Sequence, residues 1–486
     1  MRFHGTEIRG LSDQRPPTLS PLMEGRFGRM FRRLPSAPSY TADELLALAE
    51  SMHDDATPTS GWGGQVEDRD NPDIPAAYTY FGQFIDHDIT FDPMSSLQRL
   101  NDPDALVDFR TPRFDLDSVY GSGPADEPFQ YASSPGAPRF LTAGSGTDID
   151  LPRNSEGIAL IGDPRNDENI IVSQLHTVFL RAHNRFVAVI DADSNIPADR
   201  RFDEAQRLTR WHYQWIVVND YLRKIVGNEL LDQLLTEKNG EWDIKRNFYR
   251  PQKNTYMPVE FSVAAFRFGH SMIRGIYNLN PVVRDRPIFA PGDNVGPLDD
   301  LRGGRALPAQ WGIQWDHFLP IKESAPQPSR KIDAGLASGL FDLPRRDDTL
   351  PFLNLKRGQA LQLPRAKTSL AHWATFASSR ALNSTARWTR RRYGSTSSRS
   401  QSSKQAASAW GRRADGSWPR SCWGCWRRTV SRTSGRTHIG LLTQKDSCPL
   451  PAVTESSDWL TSSRGQRPRR LEIDTASRST DLLVTD

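Results

Sequence analysis

The sequence predicts a mainly α fold: a single large helical domain with long irregular loops. Three observations carry this. Three extended segments show apolar residues at three-to-four spacing, no stretch alternates with period two, and residues 92–168 are too rich in Asp, Pro and Gly for regular structure. In chain order, residues 1–40 read as an extended Pro- and Arg-rich arm. A first helix starts at Thr41, because Thr41-Ala-Asp-Glu44 has capping-box spacing ahead of Leu45, Leu46 and Leu48. Residues 53–73 read as loop and 74–90 as a helix with aromatic and aliphatic faces. Helices follow over 169–192, 203–226 and 258–276, the last with Pro258 in its first turn. The expected organisation is an arm over 1–40, one large domain over 41–366 and a basic tail over 367–486.

Composition narrows the function classes. The chain has 486 residues, 37% hydrophobic and 25% charged, and no apolar run long enough for a membrane-spanning helix. Met1–Gly10 is polar and lacks an apolar signal core, so a cytoplasmic or non-classically secreted location is expected. The net charge of +4 divides into two unlike parts. Residues 1–366 carry 41 Lys+Arg against 50 Asp+Glu, or −9, and residues 367–486 carry 21 against 8, or +13. The basic balance therefore belongs to the tail, and no nucleic-acid partner is expected. All three cysteines (Cys422, Cys425, Cys448) also lie there, so residues 1–366 have no disulfide or thiolate chemistry.

Four clusters carry potential chemistry. In Gln83-Phe-Ile-Asp86-His87-Asp88, Gln83 and His87 share a helical face, which suits proton transfer to a small ligand or, equally, a polar helix end. Gly162-Asp-Pro-Arg165-Asn-Asp-Glu168 precedes a helix, where acidic residues favoured by the dipole are an alternative to a site. In Phe266-Arg267-Phe268-Gly269-His270, the histidine is either a core residue or a ligand, and Gly269 would let a flat cofactor approach the backbone. Thr111-Pro-Arg113-Phe-Asp115-Leu-Asp117 offers a hydroxyl, a carbonyl and two carboxylates, the oxygen ligands Ca²⁺ prefers, or else forms an Asp-rich turn.

Taken in order, FGQFIDHD, GDPRNDEN, FRFGH and LNLKRG (353–358) resemble the animal-type haem peroxidases, the superfamily of myeloperoxidase-, peroxidasin- and cyclooxygenase-like proteins, and bacterial members in particular. The likeness covers about residues 1–366. It implies that His87 is the distal histidine that moves the peroxide proton, that Arg165 stabilises the departing hydroxide, and that Gln83 holds water or halide beside them. It implies that His270 ligates the haem iron and that Asn354 accepts its other imidazole N–H. Arg267 and Arg357 fit the places of propionate partners. Asp86 and Glu168 match carboxylates that form ester links to haem methyl groups, so a haem b derivative held covalently is expected. Asn169 stands where myeloperoxidase-like proteins have a methionine that forms a third link, which implies a milder potential and makes chloride a poor donor. Asp88 with Thr111, Arg113 (through its carbonyl), Asp115 and Asp117 matches a Ca²⁺ site. The implied activity is reduction of hydrogen peroxide, as in a response to oxidative stress, with oxidation of a halide, pseudohalide or small organic donor. The alternatives are a fatty-acid dioxygenase, which needs a tyrosine near the haem, and a non-catalytic remnant.

The remnant reading comes from residues 367–486, which hold 22 Ser, 18 Arg and seven of the thirteen Trp without helical or strand period. So many tryptophans are foreign to a disordered tail. Back-translating 417–426 and 455–463 with permitted codons and reading both at one common offset yields helix-like segments in each. The expectation is a reading frame lost soon after Pro364, which nucleotide sequence across codons 360–375 decides.

Overall fold

The structure is a computed structural model, and it describes residues 27–31, 33–54, 68–90, 112–133, 136–146, 148–192, 195–238, 241–244, 249, 255–292, 295–296, 298–321, 324–343, 348–366 and 369. All of these belong to the unit Met1–Ile439. The tail beyond Ser369, with its expected frame loss, and Thr111 lie outside the described residues.

Helices dominate the described residues, as the periodicity predicts, and the strands among them are short pairs. Helix α1 (Ala42–Glu50) begins at the expected capping box: the Thr41 side chain accepts from Glu44 N, and Glu44 reaches back to Thr41 N. Its Leu45 and Ala49 pack on Phe352 of a late helix. Helix α2 (Ala77–Ile89) is shorter than the span 74–90. Residues 74 and 75 instead end a strand, Asp70–Pro75, that pairs antiparallel with Pro328–Arg330. Pro75 explains the boundary, since the residue before a proline avoids helical backbone. A four-residue helix α3 (Asp117–Tyr120) lies in the irregular stretch.

Helix α4 (Ile170–Asp191) is capped by Asn169, whose Oδ1 accepts from Ile171 N and Val172 N. Helix α5 (Arg201–Ile216) continues through a π-helical turn, Val217–Tyr221, into α6 (Leu222–Val226), and α7 (Asn228–Leu234) follows. An unexpected hairpin pairs Leu235–Lys238 with Glu241–Ile244. The Asn239–Gly240 dipeptide between them was the available signal. The 258–276 segment is not an α-helix. Pro258 belongs to a two-residue strand paired with Phe27–Gly28, and the chain then runs π-helical over Glu260–Ala265 and 3-10 over Phe266–Met272. Such departures from regular helix often mark functional segments. Helix α8 (Leu350–Ala360) starts at Thr349, which caps Phe352 N.

The main core sits where α2, α4 and α5 meet. Phe84 stacks on Phe179 at 4.7 Å between centroids, and Tyr213 meets both edge-on. This aromatic block fixes the rotation of α2 and so turns its opposite face toward the site. Arg274, just beyond His270, is buried and ion-paired with Asp70, which also bonds Arg330 at 3.1 Å. That buried triad ties the strand leading into α2 to the chain leaving the 266–272 segment. Residues 29–31 are held at the start of the 259–272 segment and at the end of the chain leaving α8. The buried Glu260 carboxylate accepts from Met30 N and Phe31 N at 3.0 Å each, and Arg29 donates to the carbonyls of Leu361 and Gln362.

Candidate active site

A cavity of about 670 Å³ is lined by residues of α2, the Arg165 turn, the 259–272 segment and α8. That is within the range of about 300–1,000 Å³ usual for cofactor and ligand sites. Residues Thr79, Tyr80, Gln83, Asp86, His87 and Thr90 form its α2 wall, one helical face opposite Phe81 and Phe84 in the core. The structure brings together Gln83, Asp86, His87, Arg165, Glu168, Arg267, His270, Asn354 and Arg357 in this lining, from parts of the chain up to 274 residues apart.

On the His87 side the groups are densely bonded. His87 Nδ1 lies 2.8 Å from Asn166 Oδ1, and Asn166 Nδ2 lies 2.9 Å from His176 Nδ1. His87 Nε2 is 3.7 Å from Glu168 Oε1. Gln83 donates through Nε2 to Glu168 and accepts from Asn169 Nδ2 at 3.0 Å. Asn169 thus caps α4 with its oxygen and holds Gln83 with its nitrogen, a double duty no methionine could perform. Arg165 lines the cavity, yet its guanidinium is engaged. It donates to buried Asp163 through Nε (3.1 Å) and Nη2 (2.8 Å) and to the His87 carbonyl at 2.9 Å. Burial alone lowers the Arg165 pKa, and the Asp163 carboxylate, with Asp86 and Glu168 nearby, more than reverses this, so the net shift is upward.

On the His270 side the bonding is sparse. His270 Nδ1 lies 3.1 Å from the Asn354 amide nitrogen. The resemblance implies acceptance by this side chain. A half-turn of the amide places Oδ1 at the same point, and an imidazole that binds metal through Nε2 carries its proton on Nδ1 and requires that orientation. Burial, with the Arg267 charge second, depresses the His270 pKa to about 3 and keeps the imidazole neutral, the form that ligates metals.

The donor set fits a haem. A Cβ at Gly269 would meet nothing within 4 Å, which leaves the backbone beside His270 open to a flat group. The buried Arg267 Nε has no hydrogen-bond partner among the described residues, and with Arg357 it can meet propionates. The Ca²⁺ residues are less gathered. Asp88 turns away from the cavity, buried, and its Oδ1 lies 3.4 Å from both Ser118 N and Ser118 Oγ. Arg210 donates to the Asp115 carbonyl and lies 3.8 Å from Asp117. Among the described residues no group of three or more His, Cys, Asp or Glu side chains is arranged to hold a metal ion.

Sequence reasoning missed Asn166, His176 and Tyr221. Asn166 lay unremarked inside GDPRNDEN, and His176 was visible as a polar residue on the apolar face of α4. Tyr221 lines the cavity from a π turn no periodicity reveals.

Residues 98–288 match the family described as animal haem peroxidase. That match covers 191 of the chain's 486 residues. The matched span includes Arg165, Glu168 and His270, while Gln83, Asp86, His87 and Asn354 lie outside it. Thyroid peroxidase of Homo sapiens is 28% identical over 249 residues, 47% of this chain and 24% of that protein. Peroxidasin of Drosophila melanogaster is 25% identical over 225 residues, 44% of this chain and 14% of that protein. The chain thus spans a quarter or less of the length of these relatives. Among solved structures, Peroxidase A from Dictyostelium discoideum is similar at 16% identity and TM-score 0.46, covering 70% of this chain and 72% of that one.

Proposed function

We propose that this chain is a haem peroxidase that reduces hydrogen peroxide and oxidises a halide, a pseudohalide or a small organic donor. The observation that carries the reading is the convergence of His87, Arg165 and His270 on one cavity, with Asn354 behind His270. Haem, when bound, supplies the redox equivalents. His87 takes the proton from one peroxide oxygen at Nε2 and returns it to the other. Arg165 holds a fixed positive charge beside the α2 wall, where hydroxide character develops, and needs no reorganisation to do so. Gln83, clamped between Glu168 and Asn169, orients water or a small anion. His270 would bind the iron, Arg267 and Arg357 the propionates, and Asp86 and Glu168 would anchor the ring through ester links. Asp88, Thr111, the Arg113 carbonyl, Asp115 and Asp117 would hold Ca²⁺ and brace His87 from the next residue.

The test is expression of the full chain with haem supplementation. A Soret band with peroxide-dependent oxidation of bromide or a phenol supports the reading, and a folded, haem-loaded protein that oxidises neither overturns it. Acid-acetone extraction separates the ester claim, because free release of all haem from active protein removes it. Tyr80 and Tyr221 in the cavity wall favour a second reading, fatty-acid dioxygenation, which oxygen uptake with linoleate would reveal.

A further inference from the structure

A neutral imidazole has one bare nitrogen and one N–H. His87 can take a proton from a molecule in the cavity only if Nε2, the nitrogen nearest Glu168, is bare and Nδ1 carries the hydrogen. The partner of Nδ1 is Asn166 Oδ1 at 2.8 Å, an atom that only accepts. Glu168 Oε1, at 3.7 Å from Nε2, is beyond hydrogen-bond range and does not compete. An asparagine amide could turn over and present its NH₂ instead. Here that group faces the other way: Nδ2 lies 2.9 Å from His176 Nδ1, and since His176 Nε2 is buried with no partner among the described residues, the orientation is coupled to the His176 tautomer. Both Asn166 and His176 are fully buried, so water supplies no alternative partner.

We propose that Asn166 and His176 form a directional hydrogen-bond relay that sets which nitrogen of His87 carries its proton. They are positioning residues and touch neither peroxide nor haem. The inference rests on the peroxidase reading for its purpose, though not for its geometry. The relay couples two tautomers. Nδ1–H on His87 requires a bare Nδ1 on His176, and reversing the amide reverses both. A doubly protonated His176 could only donate to the amide and would force the unproductive direction. Burial excludes that form by depressing the His176 pKa to about 3; Asp163 opposes the shift and His87 adds to it. The Phe84 ring, edge-on at 6.2 Å between centroids, holds the His176 ring in place.

The experiment uses the full chain labelled with ¹⁵N-histidine, haem-free and haem-loaded. Long-range ¹H–¹⁵N spectra, assigned with His87→Gln and His176→Gln, report the tautomers. The expected result is Nδ1–H on His87 and Nε2–H on His176. Kinetics supply the second arm: Asn166→Leu and His176→Phe are expected to slow peroxide reduction about 100-fold at unchanged haem loading, the usual scale of a lost proton-transfer group. His176→Gln, whose Oε1 can accept the same N–H, is expected to stay within about threefold of the parent chain. Nε2–H on His87 in the unsubstituted chain overturns the relay, as does His176→Gln falling as far as His176→Phe. If Asn166→Leu fails to fold, the two His176 variants still decide. If the unsubstituted chain reduces no peroxide, the peroxidase reading fails while the spectra still judge the relay.

Discussion

The two sides of the cavity are built differently. His87 sits on a regular α-helix whose far face is locked into stacked aromatics, and its imidazole heads a chain of buried hydrogen bonds through Asn166 to His176. His270 sits on a 3-10 segment entered from a π-helical one, and among the described residues its imidazole has a single side-chain partner, Asn354 of α8. The difference matches the two tasks proposed for them. A proton-transfer base needs its tautomer and direction imposed by the protein, because its ligand is small and transient. A metal ligand gains most of its orientation from the bond to the metal itself, so fewer protein contacts suffice.

The sharpest test of this asymmetry swaps the losses. His270→Ala is expected to abolish haem loading, read as a missing Soret band. His87→Ala is expected to keep the band and lower peroxide reduction by about 10²–10⁴-fold. Equal haem loss in both variants would erase the distinction.

Acid titration probes the His87 side next. His176 has a folded pKa of about 3, below its ordinary 6.5, so the unfolded chain binds more protons between those values. The stability contribution is complete above pH 6.5 and is lost as pH falls toward 3. The loss amounts to about 5 kcal/mol at most, from the shift and about 1.4 kcal/mol per pH unit. Denaturant melts from pH 7 to 4 should therefore show falling stability, with a shallower fall in His176→Gln. A parallel fall in both would remove His176 as the source.

A smaller effect is expected on the His270 side. Asn354→Leu removes the partner of Nδ1 and is expected to weaken activity or metal retention by about 10–100-fold, the range for such supporting partners, with haem still bound. Smallest of all, Glu260→Ala strips the acceptor from Met30 N and Phe31 N and is expected to cost about 1–3 kcal/mol in a thermal melt. An unchanged melting temperature would mean that the arm contributes nothing to holding the His270 side.

Much of the helical framework was legible because it depends on local patterns. The Thr41 capping box and the starts of α4 and α5 follow from residues within one or two turns. The 258–276 segment departs from its local pattern for the complementary reason. Its apolar spacing is helical, yet the pairing of Met257–Pro258 with Phe27–Gly28, together with the hold of Glu260 on the arm, gives it a different helical pitch. The paired strands Leu235–Lys238 and Glu241–Ile244 are only four residues each, too short to show a periodic pattern, although the sequence Asn239–Gly240 is a turn signal.

By itself the sequence determined the kind of elements, the order of the four motifs and the residues in them capable of proton transfer, charge stabilisation and iron ligation. Such properties reside in single side chains and short spacings. Only the tertiary structure decided that Gln83, Arg165, His270 and Asn354 share a cavity, that Asp163 and the His87 carbonyl restrain Arg165, and that Asn166 and His176 stand behind His87. Those facts depend on contacts across tens to hundreds of residues, which packing and buried hydrogen bonds establish and no local pattern encodes.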